Sequence, residues 1–170
     1  MTRHSNGDRS LSLLRRRPSG LLLVGLRSPI LLYHARLGGL LGDRFLLLMH
    51  VGRKTGNKYQ TVLEVVRHDR ANDTWLVAAG WGGNTDWLRN VRQNPEVELM
   101  LGTRTAEFSA AVLPVERAAQ ELFDYGHRHP LAFREIAALY KGRAPAATME
   151  TCQALAREIP MVAFQPRTKG

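Results

Sequence analysis

The chain has 170 residues, 44 % of them hydrophobic, with a formal net charge of +9 and one cysteine, Cys152. That length suits one domain with a real core. A lone cysteine excludes an internal disulfide framework and a cysteine-rich zinc site, and reads as a small buried hydrophobe in a protein of a reducing compartment. The charge is uneven: residues 1–58 hold eleven Lys and Arg against Asp8 and Asp43, whereas the rest holds thirteen of each sign. Such a bias favours an anionic partner, whether a membrane surface, a nucleic acid or an anionic cofactor.

Residues 1–17 read as a polar, basic, disordered tail ahead of a single domain over 18–170. Residues 18–42 alternate leucine-rich pieces with Arg27, Arg36 and turn glycines, which predicts short amphipathic helices broken near Ser28-Pro29 and Gly38-Gly39. Two roles compete for them. They cap the core, or residues 11–44 lie on an anionic membrane surface with arginines on phosphate and leucines in the acyl boundary. The uncharged runs 18–26 and 28–35 fall far short of the roughly 20 residues of a membrane span. No small-residue cleavage site follows Leu21–Leu26, so a cytoplasmic location is expected, with peripheral attachment at the inner face of the plasma membrane as the option.

From Phe45 onward the pattern is that of strands, predicted at 45–51, 59–67, 74–79, 96–101, 104–113 and 159–164. Arg70-Ala71-Asn72-Asp73 and Gly102-Thr103 read as hairpin turns. Helices are predicted at 86–93, capped by Asn84-Thr85 and ended by Asn94-Pro95, and at 114–127, 130–141 and 148–158. Strands joined by tight turns, without regular βαβ alternation, point to a mainly β protein with α: an antiparallel barrel with flanking helices rather than a doubly wound sheet.

Two segments carry chemistry. Gly52-Arg53-Lys54-Thr55-Gly56 lies between two strands, so two glycines and two cations share a turn suited to a phosphate or carboxylate, or form an ordinary solvated hairpin. Ala78-Ala79-Gly80-Trp81-Gly82-Gly83-Asn84-Thr85-Asp86-Trp87 runs from a strand through a glycine-rich loop into a helix. Small residues at the strand end leave room for a flat ring, and the helix start offers unpaired N–H groups. Trp87 taken alone reads as the buried anchor of its helix. His127-x-His129 lacks further ligands at metal spacing and reads as helix-end histidines, so no metal is expected. The chain has no G-x-S-x-G elbow, Walker A motif or G-x-G-x-x-G fingerprint. Phe123, Tyr125, Phe133 and Tyr140 are spaced as helical core residues, with Tyr125 and Tyr140 as the candidates to line an acceptor pocket.

These residues resemble the deazaflavin-dependent nitroreductase family, of the flavin-reductase-like split β-barrel superfamily. The similarity spans about residues 20–165 and rests on Gly52–Gly56 followed by Tyr59-Gln60-Thr61, on Val77–Gly80 with Gly82-Gly83, and on Asp86–Asn90 leading to Asn94-Pro95. It implies a split antiparallel β-barrel and hydride transfer from reduced coenzyme F420 to a quinone, nitroaromatic or conjugated enone. It also implies phosphate contacts on Arg53, Lys54, Thr55 and Gly56, a ring cradle on Ala78, Ala79 and Gly80, and loop-helix contacts on Gly83, Trp87 and Asn90. Many relatives carry arginine where this chain has Gln60, and Lys58 is placed to compensate. Trp81 stands where some relatives carry a cation.

Three readings follow. The first is an F420H2-dependent reductase with no protein nucleophile, in which the cofactor does the hard step. The second is an FMN-binding oxidoreductase of the same fold. The third is a non-catalytic lipid- or fatty-acid-binding protein of the membrane surface. Nucleic acid is not expected as a partner, because the arginines alternate with leucines rather than stacking aromatics. Monomer and homodimer are both compatible with the sequence.

Overall fold

In the computed structural model, residues 44–141 and 145–167 are described. The expected tail and amphipathic helices of residues 1–42 lie outside them. Six strands form a closed, fully antiparallel barrel in the order β1-β2-β3-β6-β5-β4. They are β1 (Phe45–Val51), β2 (Lys58–Asp69), β3 (Thr74–Ala78), β4 (Glu96–Leu101), β5 (Arg104–Val112) and β6 (Met161–Pro166). Helix α1 (Asp86–Gln93) sits between β3 and β4. Helices α2 (Val115–Arg128), α3 (Pro130–Lys141) and α4 (Met149–Glu158) lie between β5 and β6. Among the described residues no helix is long and apolar enough to cross a membrane.

Strand alternation divides the apolar residues into two cores. Leu46, Leu48, Leu63, Val77, Leu99, Phe108, Val162 and Phe164 fill the barrel, joined by Trp87, Leu88 and Val91 of α1. The opposite faces of β3 and β6, with Leu76, Met161 and Ala163, pack under α2, α3 and α4. Cys152 belongs to that second core, fully buried, and burial pushes its thiol up to about 11, as expected of an inert structural cysteine.

One buried charge ties the layers together. Glu121 of α2, 2 % exposed, accepts from Arg67 of β2 at 2.9 Å and Arg117 at 2.7 Å. Arg67 follows a register shift between Val65 and Arg67, where the extra residue bends β2. The predicted final strand is displaced: Ile159 is the C-cap of α4, its N–H donating to Leu155 O at 2.7 Å, so β6 runs from Met161 to Pro166 instead of 159–164.

Candidate functional site

Two connections meet at one end of the barrel. Residues 52–57 join β1 to β2 and close on themselves, Gly52 N–H donating to Asn57 O at 2.8 Å and Gly56 N–H to Gly52 O at 2.9 Å. Gly56 takes a φ of +70°, which glycine adopts without a Cβ clash. Gly52 is required for another reason. A Cβ there would lie 2.5 Å from Cε2 of Tyr59, so the Tyr59 ring rests on the glycine backbone. Thr55 Oγ1 accepts from Asn57 N–H at 3.3 Å and lies 3.4 Å from the Tyr59 hydroxyl.

The two cations of this turn differ. Arg53 donates its backbone N–H at 3.1 Å and Nη1 at 2.9 Å to Asn90 Oδ1, and its Nη2 lies 3.2 Å from Asp86 Oδ1. Lys54 is exposed and has no ion-pair partner among the described residues.

Residues 79–85 join β3 to α1. Ala79 N–H donates to Pro160 O at 2.8 Å, Gly80 N–H to Ala78 O at 3.0 Å and Gly82 N–H to Ala79 O at 2.7 Å. Ala79 is buried, but Gly80 is exposed, and a Cβ built on it would meet nothing within 4 Å. Trp81 beside it is 52 % exposed. Tyr140 of α3 donates its hydroxyl to the Gly80 carbonyl. Burial, with Glu158 adding to it, raises the Tyr140 pKa, so the phenol remains a donor at neutral pH. Thr85 occupies the N-cap of α1 without a side-chain capping bond, and its Oγ1 is buried with no partner.

Helix α1 joins the two connections. Its apolar face, Trp87, Leu88 and Val91, plugs the barrel, and Asn90 between them is 4 % exposed. Asn90 Nδ2 donates to His50 Nδ1 at 3.2 Å, and His50 Nε2 lies 3.4 Å from Thr61 Oγ1. Burial lowers the His50 pKa against the raising effect of Asp86.

The structure thus brings Arg53 into direct contact with Asn90, and Tyr140 onto the loop that follows Ala78, the last residue of β3, and contains Ala79, Gly80 and Gly83. Trp87 lies in the barrel core. Lys58 and Gln60 stand on the register of β2 opposite to Leu63, and Lys58 lines an open groove of about 190 Å³ with Glu96, Glu98, Glu107 and Arg167. Three glutamates on that wall make it a poor match for a polyanion. Tyr125 packs its ring on His129 among the outer helices, at 5.0 Å between centroids. His127 Nδ1 donates to Phe123 O at 2.8 Å, and no group of three or more potential metal ligands occurs among the described residues. Sequence reasoning missed His50. Its signal was available: it shares the register of Leu46 and Leu48, so a polar side chain faces inward in an apolar strand.

A family model described as F420H(2)-dependent quinone reductase matches residues 33–137. A solved F420-H2 dependent reductase, FDR-A, is similar at 20 % identity, over 73 % of this chain and 96 % of that one, with a TM-score of 0.51. HutZ, a heme storage protein from Vibrio cholerae, is similar at 14 % identity, over 82 % of this chain and 90 % of that one, also with a TM-score of 0.51. At these identities the two structures speak to the fold alone.

Proposed function

The chain belongs to the F420H(2)-dependent quinone reductase family, and we propose that the two connections meeting at α1 hold F420, with a quinone as the acceptor. Membership makes the protein an F420H2-dependent oxidoreductase and leaves the FMN reading without support. The observation that carries the site is the open face at Gly80, within a loop anchored on both sides.

The residues present fit such a group. Space beside Gly80 admits a flat ring against backbone, and the orphaned Thr85 hydroxyl supplies a hydrogen-bond partner close to the helix start. Lys54, exposed on a closed turn, supplies a cation for a phosphodiester or carboxylate tail. Arg53 keeps its bonds to Asn90 and Asp86 and acts on the turn rather than on the ligand. Bound F420H2 supplies the hydride, and the protein supplies proximity and orientation. Tyr140 fixes the Gly80 peptide from the side of α3, and the exposed face of Trp81 offers a stacking surface to a planar quinone.

A fluorescence titration with F420 tests this reading. The wild-type protein is expected to bind saturably. Lys54→Ala is expected to weaken binding about tenfold through loss of one charge-assisted contact. Absence of binding by the wild type, or an unchanged affinity in Lys54→Ala, overturns the assignment. Steady-state turnover with a water-soluble quinone is expected to exceed that with a nitroaromatic in kcat/KM; the reverse order removes the quinone.

A further inference from the structure

We propose that His50 is a positioning residue: through the Asn90 amide it holds Arg53, and with it the whole 52–57 turn, in the orientation that presents Lys54 to an anion. The inference rests on the cofactor reading above for its consequence, but its geometry is independent of any ligand.

An amide side chain has direction, with an acceptor at one end and donors at the other. Arg53 brings two donors, its backbone N–H and Nη1, to Asn90. Asn90 must therefore turn Oδ1 toward Arg53 and Nδ2 toward His50. The facing His50 nitrogen, Nδ1, must then carry a lone pair, which places the proton on Nε2, where Thr61 Oγ1 accepts it. Each bond in the chain from Arg53 to Thr61 fixes the direction of the next. Only a neutral histidine of one tautomer completes it.

A hydrocarbon would pack this position, as Leu46 and Leu48 do along the same face. A polar ring with 4 % exposure is costly unless both nitrogens are used. Here both are used, and neither touches a carboxylate. The charged and titratable groups around it are Arg53 on the turn, Asp86 on α1, Tyr59 stacked at 6.0 Å on β2, and, along the groove that His50 itself helps to line, Lys58, Glu96, Glu98, Glu107 and Arg167. Protonating His50 would set an N–H against the Asn90 NH2. Turning the amide to relieve that contact would set the NH2 against Arg53, so the turn would lose its hold on α1 either way.

Three readouts test the proposal, two of them without cofactor. Imidazole 15N NMR is expected to find His50 neutral with its proton on Nε2; the other tautomer, or an imidazolium at neutral pH, overturns it. Amide hydrogen exchange is expected to show Arg53 at least about tenfold less protected in His50→Leu, where Nδ2 is left buried and unpaired. Asn90→Asp is expected to keep Arg53 protected, since a carboxylate accepts from it, and to raise the His50 titration, since the imidazolium can then donate from Nδ1. Thermal melts confirm that each variant folds. Should His50→Leu not fold, the tautomer and Asn90→Asp decide. Unchanged Arg53 protection in His50→Leu, or an unmoved His50 titration in Asn90→Asp, overturns it.

The F420 titration is the third readout, with His50→Leu expected to bind about tenfold more weakly than wild type. Equal binding by wild type and His50→Leu overturns the link to the cofactor. Failure of the wild type to bind, with exchange and tautomer as expected, defeats the cofactor reading and leaves the positioning of Arg53 standing.

Discussion

The two ends of the barrel are built differently. At the end away from α1, four residues join β2 to β3 and two join β4 to β5. Both turns are closed by local contacts: Asp69 accepts from Ala71 N–H and from the Asn72 amide, and Gly102 takes a φ of +61° at the first position of its two-residue turn. Asp73 then binds both together, accepting from His68, Trp75 and Arg104. At the α1 end the connections are longer, a glycine is exposed beside empty space, and a helix plugs the mouth. The contrast extends to the histidines. His68 contacts a carboxylate and stacks on Trp75 at 3.7 Å, whereas His50 contacts an amide and a hydroxyl. One end satisfies its polar groups within five residues, apart from the exposed Arg104–Asp73 pair that joins its two turns across 31 residues, whereas the other relies on part-buried and buried partners 37 and 40 residues apart. Local satisfaction makes a stable lid. Long-range satisfaction leaves a surface whose shape several elements must agree on.

Filling the space at Gly80 makes the sharpest test of this difference. Gly80 is outside the left-handed region, and a Cβ there meets no atom within 4 Å, so Gly80→Val is accommodated by the fold. It places two methyl groups where the ring is proposed to lie. The expected result is a loss of F420 affinity of more than about 100-fold with an unchanged melting temperature. A fall in melting temperature with retained binding would make the loop structural and the open face incidental.

The matching change at the other end is Gly102→Val. A β-branched residue at a φ of +61° is strained, so a loss of about 1–3 kcal/mol in chemical denaturation is expected. F420 affinity is expected to stay that of the wild type, because no element of the site touches that turn. Weakened binding at full occupancy of the folded state would show that the ends are coupled and break the comparison.

Much of this division was legible in the sequence. The bounds of β1, β4 and α1 follow from apolar runs punctuated by glycine, asparagine and proline, and both glycine-rich segments stand out by composition. The end of α4 was not legible: Ile159 and Met161 are equally apolar, and only the bond from Ile159 N–H to Leu155 O assigns the first to the helix. Nor was the pairing of β1 with β4 and of β6 between β3 and β5, since closure joins residues far apart in the chain. Within the site, the turn showed two cations, but which one is engaged depends on Asn90 and Asp86 on another element. Local sequence reports what a segment can offer a ligand, and distant partners decide what it has left to offer.

Acid should separate the ends by smaller effects in two windows. Burial would raise the Asp73 pKa, but hydrogen bonds from His68, Trp75 and Arg104 outweigh it and hold the carboxyl below its usual 3.8. Its stabilisation is therefore complete above 3.8 and is lost only as pH falls further. His50 is likewise depressed, from 6.5, by burial, so its contribution is complete above 6.5 and declines as pH falls below that value. The α1 end is thus expected to loosen first. Between pH 6.5 and 4.5, amide exchange corrected for its intrinsic rate should show declining protection at Arg53, while Ala71, held by the Asp69 carboxylate, keeps its protection. Asp69 is itself held below 3.8, chiefly by the Asn72 amide, so that reporter remains valid throughout the window. Simultaneous loss at both amides would mean that the barrel opens as one unit, and that the long-range network at its mouth is no weaker than the local one at its base.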